Sequence, residues 1–188
     1  MPENVILVDE RDQEIGSEEK IAAHRAGKLH RAFSVFIFNS EGKLLLQNRA
    51  RIKYHSGGLW TNTCCSHPRP GEDTESAAHR RLREEMGFDC DLKKTFGFIY
   101  RIQFDHQLSE HEFDHVFIGT SEQNADPDPN EVGRWRWSSL GEIKKELATN
   151  PENYTYWFRI AFEKLLVDHL HRGNMFASTS EITISSGG

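Results

Sequence analysis

A thiol and an imidazole stand two residues apart in Trp60-Thr61-Asn62-Thr63-Cys64-Cys65-Ser66-His67-Pro68. In an extended chain alternate side chains share a face, so Cys65 and His67 point one way and Cys64 the other. Such a pair suits a metal site or a reactive cysteine with a polar neighbour. A small buried hydrophobe beside a hydrogen-bonded histidine is the structural alternative. Glu110-His111-Glu112 repeats the geometry with charge. On a strand both carboxylates share a face and His111 takes the opposite one. Two like charges so close disfavour joint ionisation unless a cation lies between them, whereas a hairpin turn would simply solvate them. His24 and His30 cannot share one face of a continuous helix; one belongs at a helix end and the other at the start of the next strand. Three histidines and two carboxylates make a nitrogen/oxygen donor set that fits Zn²⁺, Mn²⁺ or Fe²⁺ better than Ca²⁺.

The elements that would carry these residues can be read from pattern and punctuation. The run 5–8 is short and apolar. The stretch 17–24 predicts a helix with Ser17 as N-cap, acidic residues in its first turn and Gly27 as its stop. Residues 32–38 are β-branched and aromatic, and Asn39-Ser40-Glu41-Gly42 separates them from Leu44-Leu45-Leu46 as in a hairpin. The stretch 60–67 reads as extended, broken by Pro68 and Pro70. A helix is predicted over 74–86, capped by Asp73 or Thr74 and stopped by Gly87. Strands are expected over 94–104 and 112–120 across a polar turn, and at 134–137, where Arg and Trp alternate. Helices are expected over 140–147 and near the C-terminus, where Trp157, Phe158, Ala161, Phe162, Leu165, Leu166 and His169 recur at helical spacing. A Ser/Thr/Gly tail from 177 onward is expected to be mobile.

Composition bounds the class. The chain has 188 residues, 37% hydrophobic and 11% aromatic, enough for a core in one domain over 1–176 with the tail at 177–188. Lys and Arg number 23 against 29 Asp and Glu, a net charge of −6 that argues against nucleic-acid or polybasic membrane-surface binding. No apolar run approaches a membrane span, and Met1-Pro2-Glu3-Asn4 has no signal-like character, so a cytoplasmic location is expected. Cys64, Cys65 and Cys90 are odd in number, which suits a reducing compartment.

Glu72, Arg80, Glu84, Glu85 and Gly87 have the spacing of the Nudix signature, with Ser66 at the opening glycine and Arg81 where a glutamate is expected. Glu85 projects about 20° from Ala78, on the edge of a stripe marked by Ala78, Leu82 and Met86. Such a carboxylate needs a partner, either Arg81 one turn back or a metal. With His24 and His30, Trp60-Thr61-Asn62, Cys65-Ser66-His67-Pro68, this degenerate helix and Glu110-His111-Glu112, the chain from its first strand to about residue 172 resembles the type I isopentenyl-diphosphate isomerases, a Nudix-fold family.

That resemblance implies an α/β (α+β) Nudix-type fold, with mixed β-sheets packed between helices. It also implies interconversion of isopentenyl and dimethylallyl diphosphate. His24, His30, His67, Glu110 and Glu112 would hold a divalent metal (Mn²⁺, Zn²⁺ or Mg²⁺). Cys65 and Glu112 would form the acid-base pair on opposite faces of the alkene, with Tyr100 nearby. Glu85 would help hold a Mg²⁺ bound to the diphosphate, which Lys20, Arg49, Lys53 and Arg81 would grip. Trp157 would wall the pocket and offer its face to a carbocation, though at helical spacing it also reads as core. The implied partner is a C5 isoprenoid diphosphate, taken by a monomer or weak homodimer. A Nudix hydrolase of a nucleoside or isoprenoid diphosphate is the alternative, against which Arg81 counts. A non-catalytic module on the same scaffold would have no use for Cys65 and Glu112.

Overall fold

The computed structural model describes residues 3–53, 55–104 and 108–171. The turn at 105–107, the His169 side chain, the boundary at 176 and the tail at 177–188 lie outside the described residues. Strand β3 (His30–Phe38) organises the sheet because its sequence, HRAFSVFIF, is apolar on both faces. Along it, Phe36 and Phe38 pack toward the last helix, while Phe33, Val35 and Ile37 pack on the opposite side. Burying each such side chain contributes about 1.5–3 kcal/mol.

Strands β1 (Asn4–Val8) and β2 (Glu14–Glu19) precede helix α1 (Lys20–Ala26). The helix expected over 17–24 is therefore corrected: Ser17 sits in a strand opposite Ile6, and Glu19 is the cap. Its carboxylate accepts from the N–H groups of Ile21 (3.0 Å) and Ala22 (2.7 Å). Pairing with β1 prevails over a longer helix because it gives the backbone groups of 14–19 ladder partners beside the apolar run 5–8. The stop at Gly27 holds, in the left-handed region at φ 63°.

β4 (Leu44–Arg49) follows the expected turn, but the hairpin reading needs correction too. β3 and β4 pair only at Phe38 and Leu44. Past that point they part, and the gap is bridged by the segment holding β5 (Trp60–Thr61) and β6 (Cys64–Ser66). The extended stretch breaks at Asn62 and Thr63, whose buried side chains stitch the two strands. Asn62 Nδ2 donates to Val35 O (3.2 Å) on β3, and Thr63 Oγ1 donates to Leu45 O (2.7 Å) on β4. Thr63 Oγ1 also accepts from Ile37 N–H at 3.0 Å.

Helix α2 (Thr74–Met86) runs as expected from an Asp73 cap to Gly87, burying Ala77, Ala78, Leu82 and Met86 against Phe33, Val35 and Ile37. β7 (Leu92–Gln103) and β8 (Ser109–Thr120) pair antiparallel, and β8 runs parallel to β3 from Glu112 to Thr120, along all of β3. β9 (Val132–Ser138) pairs β4. Helices α3 (Leu140–Thr149) and α4 (Tyr156–His171) cover the other face, with Phe158, Ala161, Phe162 and Leu165 in its core. The result is one α+β domain, a mixed sheet between helices. No helix among the described residues is long and apolar enough to cross a membrane.

Candidate active site

Register lays the site out in rows. In the parallel pair His30 lies opposite Glu112, and in the antiparallel pair Glu112 lies opposite Tyr100, so three strands align one imidazole, one carboxylate and one phenol. On the other edge of β3, Ser34 faces Cys65, which carries His67 into the same pocket. Alternation holds on both motifs. Cys64 is buried in the α2 core, and His111 turns away to Gly27 O at 3.1 Å.

His24 comes from α1 and His30 from the start of β3. Their Nδ1 atoms donate to the carbonyls of Lys20 (2.6 Å) and Lys28 (2.9 Å), which leaves each Nε2 as a lone-pair donor facing inward. With His67 they converge on Glu112 Oε1, at 4.0, 3.5 and 3.0 Å for His24, His30 and His67. The ligand atoms of these four residues lie within 4.8 Å of one another. Imidazole lone pairs turned on a buried carboxylate repel unless a cation joins them, so this donor set fits a divalent metal. Burial lowers the pKa of His24 and takes His67 to about 4, keeping both rings neutral as ligands must be.

Glu110 stands just beyond that group. Its partners are Tyr100, whose hydroxyl lies 3.0 Å from Glu110 Oε2, and His55, whose Nε2 lies 3.1 Å from Oε1. His24, His55 and Glu110 form a second possible ligand group that shares His24 with the first. The Tyr100 hydroxyl also donates to Glu112 Oε2 at 2.7 Å, so one proton links two carboxylates. Burial and the neighbouring Glu112 push Glu110 well above the usual carboxylate range. Burial pushes Glu112 upward as well, but His67 and His30 outweigh it and hold Glu112 well below that range. Across β3, burial pushes the Cys65 thiol to about 12, opposed by Arg49, whose Nη1 lies 3.9 Å from Sγ. The same guanidinium stacks over Trp157 at 5.2 Å, so the indole face already holds a cation.

The cationic end is built from α2 and the end of β4. Glu85 Oε1 meets Arg81 Nη2 at 2.6 Å, and Gln47 Nε2 donates to Glu85 Oε2 at 3.0 Å. The partner expected for Glu85 is therefore Arg81 itself. Glu72 binds Arg80 at 2.7 and 2.8 Å, the ion pair that ties the loop before α2 to the helix. Lys20 pairs with Glu3 at 3.0 Å, and Lys53 with Glu131. All of Lys20, Arg49, Lys53, Cys65, His67, Arg81, Glu85, Tyr100, Glu110, Glu112 and Trp157 line one pocket.

A family profile described as NUDIX domain matches residues 28–158. Isopentenyl-diphosphate Delta-isomerase 2 of Aromatoleum aromaticum is 51% identical over 166 residues, 88% of this chain and 88% of that protein. The isopentenyl-diphosphate Delta-isomerase of Burkholderia multivorans is 49% identical over 172 residues, 92% of this chain and 98% of that protein. The chain belongs to the isopentenyl-diphosphate Delta-isomerase family, within the NUDIX fold.

Solved structures agree on the fold. DR0079 from Deinococcus radiodurans superimposes with a TM-score of 0.66 at 23% identity, covering 79% of this chain and 90% of that one. A MutT protein from Methanosarcina mazei gives 0.60 at 20%, covering 74% and 94%. Within an isopentenyl-diphosphate Delta-isomerase framework, the polar or charged pocket residues not singled out from the sequence include His55, Gln47 and Glu131. His55 sits in a loop without periodicity. Gln47 reads as an ordinary strand polar residue, and Glu131 follows a Pro- and Asp-rich turn. The charge of Glu131, close before the Trp/Arg strand, was the one signal available.

Proposed function

We propose that the chain interconverts isopentenyl diphosphate and dimethylallyl diphosphate. A proton adds to the terminal methylene, a tertiary cation forms, and a proton leaves the adjacent methylene on the opposite face. No atom is gained or lost overall. The observation that carries this reading is the presence of Cys65 and Glu112 in one buried pocket, on strands flanking β3.

The hydrogen-bonded chain Glu110–Tyr100–Glu112 holds one mobile proton that Glu112 can deliver and recover through the Tyr100 hydroxyl. Cys65 is the acceptor on the other face. Burial opposes its thiolate, and Arg49 stabilises it. Trp157, with the Arg49 guanidinium over its ring, walls the apolar end and excludes water that would capture the cation. His24, His30, His67 and Glu112, with Glu110 adjoining, would hold one divalent ion (Mn²⁺, Zn²⁺ or Mg²⁺), and Glu85 would hold a Mg²⁺ accompanying the diphosphate. When bound, these ions supply positive charge that orders the carboxylates and neutralises the phosphates. Lys20, Arg49, Lys53 and Arg81 grip the charged head, and that remote binding positions the small alkene. Arg81 occupies the place of a Nudix metal carboxylate and pairs with Glu85, which disfavours hydrolysis.

The catalytic thiol requires a reducing compartment, consistent with the cytoplasm and with three free cysteines. A monomer or weak homodimer is the proposed state. Incubation with isopentenyl diphosphate and Mg²⁺ tests the proposal. Formation of dimethylallyl diphosphate without phosphate release is expected. Release of phosphate or a monophosphate would overturn it.

A further inference from the structure

Glu131 lies at the phosphate end of the pocket, and the chemistry above does not use it. Its backbone is tied on both sides. The Glu131 carbonyl accepts from Ala50 N–H at 2.9 Å, and its N–H donates to Asp128 O at 3.0 Å. Asp128 N–H donates in turn to Glu85 O at 3.1 Å, in the last turn of α2. These bonds aim the carboxylate between the end of β4 and α2. There Oε2 pairs with the Lys53 ammonium, and Oε1 lies 3.1 Å from Arg81 Nη2. Burial raises the pKa of Glu131, but Lys53 and Arg81 overcome it and keep the group ionised. Two cations of the phosphate subsite are thus already engaged. The cavity they border holds about 60 Å³, far below the roughly 300–1,000 Å³ common for ligand sites. A diphosphate that takes Lys53 and Arg81 must compete with this carboxylate for them.

We propose that Glu131 is a resident anion of the diphosphate subsite, displaced by the Mg²⁺-bound head group and selecting against phosphoanions that arrive without the cation. This rests on the diphosphate reading given above. A bare diphosphate brings several negative charges to a pocket where Glu131 and Glu85 already stand. Complexed to Mg²⁺ it carries two fewer, so the same carboxylate repels it much less.

Calorimetric titration of inorganic diphosphate into wild type, Glu131→Gln and Glu131→Asp, with and without Mg²⁺, tests the idea. Circular dichroism would first establish that all three share one fold. Glu131→Gln keeps the shape and removes the charge, so it should bind the Mg²⁺-free anion at least tenfold tighter than wild type. Its gain for the Mg²⁺ complex should be smaller, so the ratio of the two constants contracts. Glu131→Asp, which keeps the charge, should retain the wild-type ratio. Equal or weaker Mg²⁺-free binding by Glu131→Gln would overturn the proposal, because the carboxylate would then merely hold Lys53 and Arg81 in place. Absence of diphosphate binding in every protein would overturn it as well. Turnover of isopentenyl diphosphate is measured separately: an inactive wild type, with the ratio still contracted in Glu131→Gln, removes the isomerase reading and leaves the resident anion standing.

Discussion

Tyr100 has one hydroxyl proton and two carboxylates within reach, at 2.7 and 3.0 Å. Because burial and Glu112 push Glu110 toward its protonated form while His67 and His30 hold Glu112 ionised, the proton rests on the Glu110 side and the phenol is its hydrogen-bonded route to Glu112. Tyr100→Phe keeps the ring and its packing and removes only that link. Its kcat should fall about 10²-fold or more, in the range of a lost general acid–base contribution, with little change in melting temperature. Cys65→Ala should lose roughly 10²–10⁴-fold in kcat for the same class of reason. Near-normal turnover of either variant, measured by following conversion of isopentenyl diphosphate, would remove the residue from the proton path. Cys65, Glu110 and Glu112 were legible because strand alternation separates Cys65 from Cys64 and puts the two carboxylates on one face, whereas Tyr100 was marked only by the family resemblance. His55 was not legible. It reaches Glu110 only because the loop after β4 folds back over the pocket, where its ring stacks on Phe104 at 4.9 Å.

Among the elements, the segment 60–67 does more than its length promises. The site exists because β3 and β4 separate, and polar side chains of that segment hold the separation. Thr63 accepts from Ile37 N–H and donates to Leu45 O, one bond to each strand. Thr63→Val is nearly isosteric and would leave both backbone groups buried without partners. The expected cost is about 2–5 kcal/mol, which lowers the melting temperature by roughly 5–15 °C in a chain of this size. Loss of the Asp73 cap by Asp73→Ala should cost only about 1 kcal/mol. Thermal denaturation followed by circular dichroism ranks the two, and an Asp73 effect as large as that of Thr63 would contradict the stitching role. The contrast matches what pattern can and cannot reveal. Helix α2 has a cap, an apolar stripe and a glycine stop, all local, and its bounds are readable. The 14–19 strand and the break at 62–63 are decided by distant partners, Ile6 in one case and both central strands in the other, so no local period announces them.

At the scale of the whole molecule, the site places a net demand on pH. His24, His55, His67 and His115 all have lowered pKa values, with burial the leading cause in each. His55 falls to about 3, and His67 and His115 to about 4. In the unfolded chain these rings take up protons near 6.5, so between about pH 6.5 and 4 the unfolded state binds more protons than the native one. Stability therefore falls as pH falls through that window, by about 1.4 kcal/mol per unit for each histidine. Glu110 and Asp114, raised by burial, act in the opposite sense above the carboxylate range, but the histidines outnumber them. With His55, His67 and His115 spanning the window and His24 adding to them, a surplus of roughly one to two protons remains. It amounts to about 1.4–3 kcal/mol per pH unit, enough to unfold a domain of ordinary stability, about 5–15 kcal/mol, within a few units. A metal held by His24, His30, His67 and Glu112 binds only the folded chain, and at a hundredfold excess over its Kd contributes about 2.7 kcal/mol. The acid-unfolding midpoint of the metal-loaded protein should therefore lie about one to two pH units below that of the chelated protein. Tryptophan fluorescence across matched pH series reads both midpoints. If they coincide, the four ligands do not hold an ion, and the charge inside this fold is balanced by protons alone.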